Sequence, residues 1–194
     1  LCYGGGIKTA EQAKTIIGLG VEKVAISSAA LEDSDLITRM AVAIGSQSVV
    51  VVLDAKPGQD KSSYEVYTHN AKVNTGRSLA QVANEVQALG AGEIVVNSID
   101  NDGQMNGYDL GMAKCVHDAT SVPVTVLGGA GSPEDIGKLI AEFGVIGAAA
   151  GSMFVFKGIY RAVLINYPSV SEHEALILDN LNLSQAGWKC DEQH

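Results

Sequence analysis

Nothing in this sequence offers a covalent framework, a membrane anchor or a surface for polyanions. Its three cysteines, Cys2, Cys115 and Cys190, lie far apart, are odd in number and show no CxxC or Cys/His spacing, which argues against a disulfide scaffold and a zinc site. The four histidines form no triad or metal pattern, and neither a metal nor a cofactor is expected. Basic side chains are scarce: 13 Lys and Arg against 22 Asp and Glu leave a net charge of −9. That is the wrong sign for nucleic acid or an anionic membrane surface, because phosphate-rich partners reward positive charge. No apolar run approaches the ~20 residues of a membrane span, and no basic segment precedes an apolar stretch. A cytoplasmic chain is expected, in which any anionic ligand is held by local geometry rather than by net charge.

What is present suffices for a core, since 46% of the 194 residues are hydrophobic. Short β-branched runs, VEKVAISS, SVVVVLDAK, EIVVNSID, VPVTVLGG and VIGAAAGS, alternate with helix-period segments. That rhythm is βαβ and gives a parallel sheet. The runs are apolar at both alternating sets of positions, as strands covered on both faces require. An open doubly wound sheet and a closed barrel both satisfy this. Helix starts are marked by Thr9, Asp33/Ser34, Ser78, Asp109 and Ser132-Pro133. One stretch breaks the rhythm: YEVYTHNAKVNTG, residues 64–76, alternates with period two around His69-Asn70-Ala71-Lys72 and reads as an inserted β-hairpin. His69 at its tip reads as a solvated residue.

The chain repeats itself. Gly5 and Gly6 match Gly128 and Gly129, Thr9 matches Ser132, Glu11 matches Glu134, Gly20 matches Gly144 and Ser28 matches Ser152, at an offset of 123 and then 124. The repeat spans four βα units, two copies make eight, and eight units close a TIM barrel of typically ~250 residues. With LCYG counted as a strand, this chain supplies six. The expectation is a TIM (β/α)8 barrel represented by strands three to eight, with the hairpin after strand five; a complete six-unit open sheet is the alternative. Residues 1–168 would form the partial barrel and 169–194 a C-terminal extension or tail. Open strand edges would make such a chain prone to self-association.

Glycine pairs at the C-terminal ends of strands, followed by helix starts, let backbone N–H groups approach an anion. Gly128-Gly129 and Gly151-Ser152 stand where TIM barrels commonly hold phosphate, although glycine also serves tight turns. Two related copies suggest a ligand with phosphate at both ends. Asp54 closes VVVVLD at the end of a strand, where a half-desolvated carboxylate suits general acid/base work or a capping role. In NSIDNDGQMNGYD, Asp100 or Asp102 could bind ligand hydroxyls or simply make the turn. Lys23 and Glu93 mark strand starts, on the face opposite the glycine loops, where charges are ordinarily surface residues.

Taken in order, YGGGI, GSQSVVVVLDAK, YTHN with NTG, GAGEI, SIDNDG with GYD, and GGAGSPED resemble the cyclase subunit of imidazole glycerol phosphate synthase, the HisF family, from Leu1 to about Pro168. The sister isomerase of the histidine pathway shares the repeat and the glycine loops, but the hairpin and GYD favour the cyclase. The resemblance implies a TIM barrel and a reaction in which ammonia from a HisH-like glutaminase converts a bisphosphorylated ribulosyl intermediate to imidazole glycerol phosphate and an aminoimidazole nucleotide. It implies that Asp54 is one of two catalytic aspartates, the other belonging to strand one. It implies one phosphate site at Gly6 and Ser28, with Ser27 where the family usually has Asn, and another at Gly103, Gly129, Gly151 and Ser152. Asn97, Ser98 and Asp102 would contact substrate, and Lys23 and Glu93 would belong to the charged ring that gates ammonia entry at the barrel bottom. Three departures are similar instead to a paralogue associated with amidation of bacterial surface sugars, which works with a glutaminase and a sugar amidotransferase and serves mainly as an ammonia conduit. These are Asn97 in place of the usual Thr, Leu127 in place of the usual Ser, and the end FVFKGIYRAVLINYPS.

Overall fold

The computed structural model describes residues 1–59, 63–157, 162–165 and 167–188. They fall into two compact units, Leu1–Ile99 with Gly111–Thr125, and Asp100–Leu110 with the residues from Val126 onward. Among the described residues no helix is long and apolar enough to cross a membrane.

The first unit runs β1 (Cys2–Gly4), α1 (Ala10–Gly18), β2 (Lys23–Ile26), α2 (Ser28–Glu32), α3 (Asp35–Ile44), β3 (Val49–Pro57), β4 (Tyr64–Thr68), β5 (Val73–Ser78), α4 (Leu79–Ala88), β6 (Glu93–Ser98), α5 (Leu110–Ala119) and the start of β7 (Val124–Leu127). Its parallel strands lie in the order β1-β2-β3-β6. The register places Ala25 beside Val50, Val50 beside Glu93, Val52 beside Val95 and Asp54 beside Asn97. Side chains alternate along each strand. One set, including Val24, Val49, Val51, Leu53, Ile94 and Val96, is fully buried, as are Leu36, Met40, Leu79 and Met112 of the helices. Each such side chain contributes ~1.5–3 kcal/mol through burial. The sequence read these strands as equally apolar on both sides, but of the alternate set Lys23, Ala25, Val52, Asp54, Glu93, Val95 and Asn97 are only half-buried, with Val50 the buried exception.

Local signals place the elements. Thr9 caps α1: its hydroxyl accepts from the Gln12 N–H at 3.2 Å, and the Gln12 side-chain oxygen accepts from the N–H groups of Lys8 and Thr9. This reciprocal cap is worth ~0.5–2 kcal/mol. The expected hairpin is β4–β5, and β4 also pairs antiparallel with the end of β3, Asp54 beside Tyr67 and Lys56 beside Glu65. At its tip His69, Asn70 and Ala71 have φ of 55°, 56° and 63°, a left-handed turn closed by the Lys72 N–H on the Thr68 carbonyl at 3.1 Å. Left-handed backbone costs such residues roughly 1–2 kcal/mol each, so outside contacts have to hold the tip.

The second unit holds the end of β7, α6 (Pro133–Phe143), β8 (Gly147–Ala148), α7 (Ser152–Val155), the antiparallel pair β9 (Phe156–Lys157) and β10 (Ala162–Val163), and α8 (Val170–Trp188). The expected tail is a 19-residue helix up to Trp188; residues 189–194, with Cys190, lie outside the described residues. It packs on α6 at Gly137, where an added Cβ would stand 2.9 Å from Asn180 Nδ2.

Candidate functional site

In the first unit, the alternate strand face ends in three polar side chains. Asp54 stands beside Asn97 in the ladder, and Asn97 Nδ2 donates to Asp54 Oδ1 at 2.9 Å. Ser27, in the turn after β2, donates from Oγ to Asp54 Oδ2 at 3.5 Å. A charge-assisted bond on one oxygen and a long, weak one on the other leave Oδ2 free to handle a proton. The structure thus brings Asp54, Ser27 and Asn97 together. Ser98 does not join them, because it is the next residue along β6, turns to the helix-covered face and is 2% exposed.

Gly4 beside Ala25 brings the Gly5-Gly6 turn and the Ser27-Ser28 turn to the same end of the sheet. Gly6 has φ +75° with open space where a Cβ would stand, so the backbone conformation, not crowding, demands glycine there. The Ser28 Oγ accepts from the His69 N–H at 3.0 Å, and His69 Nε2 faces Glu32 Oε1 at 3.2 Å. His69 is therefore not merely solvated; it ties the strained hairpin tip to α2.

At the other end of the same face Lys23 Nζ meets Glu93 Oε2 at 2.6 Å, and Thr125 Oγ1 donates to Glu93 Oε1 at 2.8 Å. Glu93 raises the Lys23 ammonium's affinity for its proton, first through this hydrogen bond. Asn97 lies four positions along β6 from Glu93, ~13 Å of strand. Between them stands Val95, with Val52 beside it, while Val50 lies level with Glu93. A charged end, an apolar middle and a polar end therefore share one face.

The second unit carries glycines on its loops, some closely packed and some open. A Cβ on Gly103 would lie 3.9 Å from Ser152 Oγ, and Gly151 immediately precedes Ser152 with nothing within 4 Å of its own Cβ position. Gly129 accepts from the Gly107 N–H at 2.8 Å, and a Cβ there would fall 2.1 Å from the Gly107 carbonyl oxygen. Asp102 is exposed in the same loop as Gly103. Two positioning groups went unread in the sequence. Tyr108 is buried and donates to the Ala149 carbonyl at 2.9 Å, just before Gly151; a buried phenol must find such a partner. Asp135 accepts from the Gly131 and Ser132 N–H groups at 3.1 Å. Burial opposes its ionisation, but the Gly131 amide and the Lys138 ammonium outweigh it and hold its carboxyl below the usual range. The capping-box spacing from Ser132 to Asp135 was the available signal; Thr125 had none beyond strand alternation.

Comparison with known proteins decides the family. The family model described as "Histidine biosynthesis protein" matches residues 1–160. A provisionally named imidazole glycerol phosphate synthase subunit HisF from Leptospira borgpetersenii is 52% identical over 91% of this chain and 69% of its own length. A provisionally named subunit hisF3 from Vibrio vulnificus is 52% identical over 89% of this chain and 66% of its own. This chain belongs to the HisF family. A third member, the imidazole glycerol phosphate synthase subunit HisF of Petrotoga mobilis, is 43% identical over 82% of the chain and 62% of its own length. The chain thus spans about two thirds of these HisF proteins. The fold is α/β, and its parallel strands with their helices are a partial TIM barrel of the HisF type.

Tyr108 allows a direct check of how the second unit's loop is held. Burial pushes its phenol up to about 12 from an ordinary ~10. The stability it contributes through the protonated form is complete below pH ~10 and is lost as the pH rises toward 12. Tyr108→Phe removes the hydroxyl's bond and should cost ~0.5–1.5 kcal/mol at neutral pH while flattening the alkaline fall. Urea titrations at pH 7 and above pH 10 would show both; a variant as stable as the parent at pH 7, with an unchanged alkaline fall, would refute the clamp.

Proposed function

We propose that this chain is the synthase part of a glutamine-dependent amidotransferase of the imidazole glycerol phosphate synthase type, acting in the cytoplasm. Ammonia comes from a HisH-like glutaminase at the barrel bottom, and the chain binds a bisphosphorylated ligand. The observation that carries the reading is the single strand face with the Lys23–Glu93–Thr125 cluster at one end, Val52 and Val95 in the middle and Ser27–Asp54–Asn97 at the other. That order supports a reading as a polar gate, a stretch that passes neutral ammonia but penalises ammonium, and a base at the reaction end. In this reading Gly6, Ser27 and Ser28 take one phosphate, and Gly103, Gly129, Gly151 and Ser152 the other. Asp102 reaches ligand hydroxyls.

Within the family we favour the surface-sugar amidation paralogue, with a sugar amidotransferase as a further partner, over the enzyme of histidine biosynthesis. The relatives at 52% identity carry provisional names, whereas three with the unqualified name stand at 40–43%. Asn97 and Leu127 support the same reading. The histidine enzyme remains the second reading because Asp54 keeps the geometry of a general base. The test uses the natural protein that contains this chain, assembled with its glutaminase. Lys23→Ala should leave glutamine hydrolysis running while amidated product falls, and ammonium chloride added to the solution should restore product. Fully coupled hydrolysis and synthesis in that variant would overturn the conduit.

A further inference from the structure

Two acceptor oxygens at the Asp54 end of this strand face lack an adequate donor. Asn97 Nδ2 donates to Asp54 Oδ1 at 2.9 Å. A carboxylate only accepts, so this bond fixes the polarity of the amide: its amino end is toward Asp54 and its carbonyl end away. That carbonyl oxygen, Asn97 Oδ1, is buried and has no hydrogen-bond partner among the described residues. A buried acceptor left unmade costs ~1–3 kcal/mol. Turning the amide over would not relieve it, because the carbonyl would then oppose the carboxylate. Asp54 Oδ2 is nearly as unsatisfied, with only Ser27 Oγ at 3.5 Å.

We propose that Asn97 is a positioning and specificity-determining residue. It holds Asp54 by one oxygen, and its own Oδ1 receives an N–H of the incoming nitrogen nucleophile, ammonia. The proposal rests on the ammonia-using reading given above. Three features select ammonia over a ligand hydroxyl. The acceptor is buried, so the donor must be small. Two acceptors, Asn97 Oδ1 and Asp54 Oδ2, await donors, and ammonia brings three N–H groups where a hydroxyl brings one proton on a bulky frame. The approach along the same face passes Val52 and Val95, a stretch that a neutral molecule crosses more easily than a cation. Held by two N–H groups, the nitrogen keeps its lone pair free for an electrophilic carbon of the ligand.

The natural protein containing this chain is assayed with ammonium chloride as nitrogen source. Asn97→Leu should raise the KM for ammonia roughly 3–10-fold, the loss of about one hydrogen bond, with the KM for the bisphosphorylated substrate unchanged. Asn97→Gln, which keeps both amide ends, should recover part of the loss. A raised KM for the phosphorylated substrate with an unchanged KM for ammonia would overturn the proposal. A second measurement needs neither turnover nor a folded variant. In the parent protein labelled with ¹³C at asparagine, ammonium chloride should shift the Asn97 side-chain carbonyl resonance, and potassium chloride at equal ionic strength should not. No ammonium-specific shift overturns the proposal whatever the activity. A shift without any cyclisation leaves the ammonia site standing and overturns the cyclase reading alone.

Discussion

Asp54→Asn is expected to lower ammonia-dependent turnover of the bisphosphorylated substrate by ~10²–10⁴-fold, the usual contribution of a positioned acid or base. The substitution removes the proton acceptor and little else. An amide has nearly the shape of a carboxylate, and its carbonyl still accepts from Asn97 Nδ2, now 2.9 Å away, although as a neutral and weaker bond. Ligand affinity should therefore hold while kcat falls. Isothermal titration beside steady-state kinetics on the natural protein with its glutaminase separates the two. If the barrel is only a conduit, the same substitution leaves glutamine-dependent amidation of a separate sugar nearly unchanged. Cyclisation at the uncatalysed background in the parent, together with amidation that responds to Lys23 but not to Asp54, would sink the cyclase assignment.

Gly129→Val is expected to abolish phosphate binding and to destabilise the second unit by roughly 3–5 kcal/mol through backbone strain and overpacking. Gly129 has φ +110°, and its Cβ would meet the Gly107 carbonyl oxygen at 2.1 Å. The loop carrying Gly103 and Tyr108 would have to move. Loss of binding there does not by itself identify a phosphate site. Gly151 supplies the clean comparison, with an ordinary φ of −116° and nothing within 4 Å of a Cβ. Gly151→Val should leave the urea midpoint nearly unchanged and still weaken phosphate binding by filling the space the anion needs. Phosphate affinity that survives Gly151→Val, measured by titration with inorganic phosphate, would reduce the glycine loop to a turn.

The parallel order, the hairpin and the caps at Thr9 and Ser132 were legible in the sequence because each depends on neighbours a few residues apart: strand period, turn residues, capping spacing. The repeat told where glycines end strands, and Asp54 stood out as a charge closing an apolar run. Register was not legible. A slip of one residue reverses every side chain, so only the paired strands could show that Asn97 lies beside Asp54 while Ser98 turns to the core. The hydrogen-bond partners Ser28 of His69 and Ala149 of Tyr108 were likewise hidden, each being 41 residues away. Sequence by itself determined which chemical groups this chain owns and which local elements carry them. Tertiary structure alone decided which of those groups share a face, because hydrogen-bond partners are chosen by strand pairing and burial across distances that no local pattern encodes.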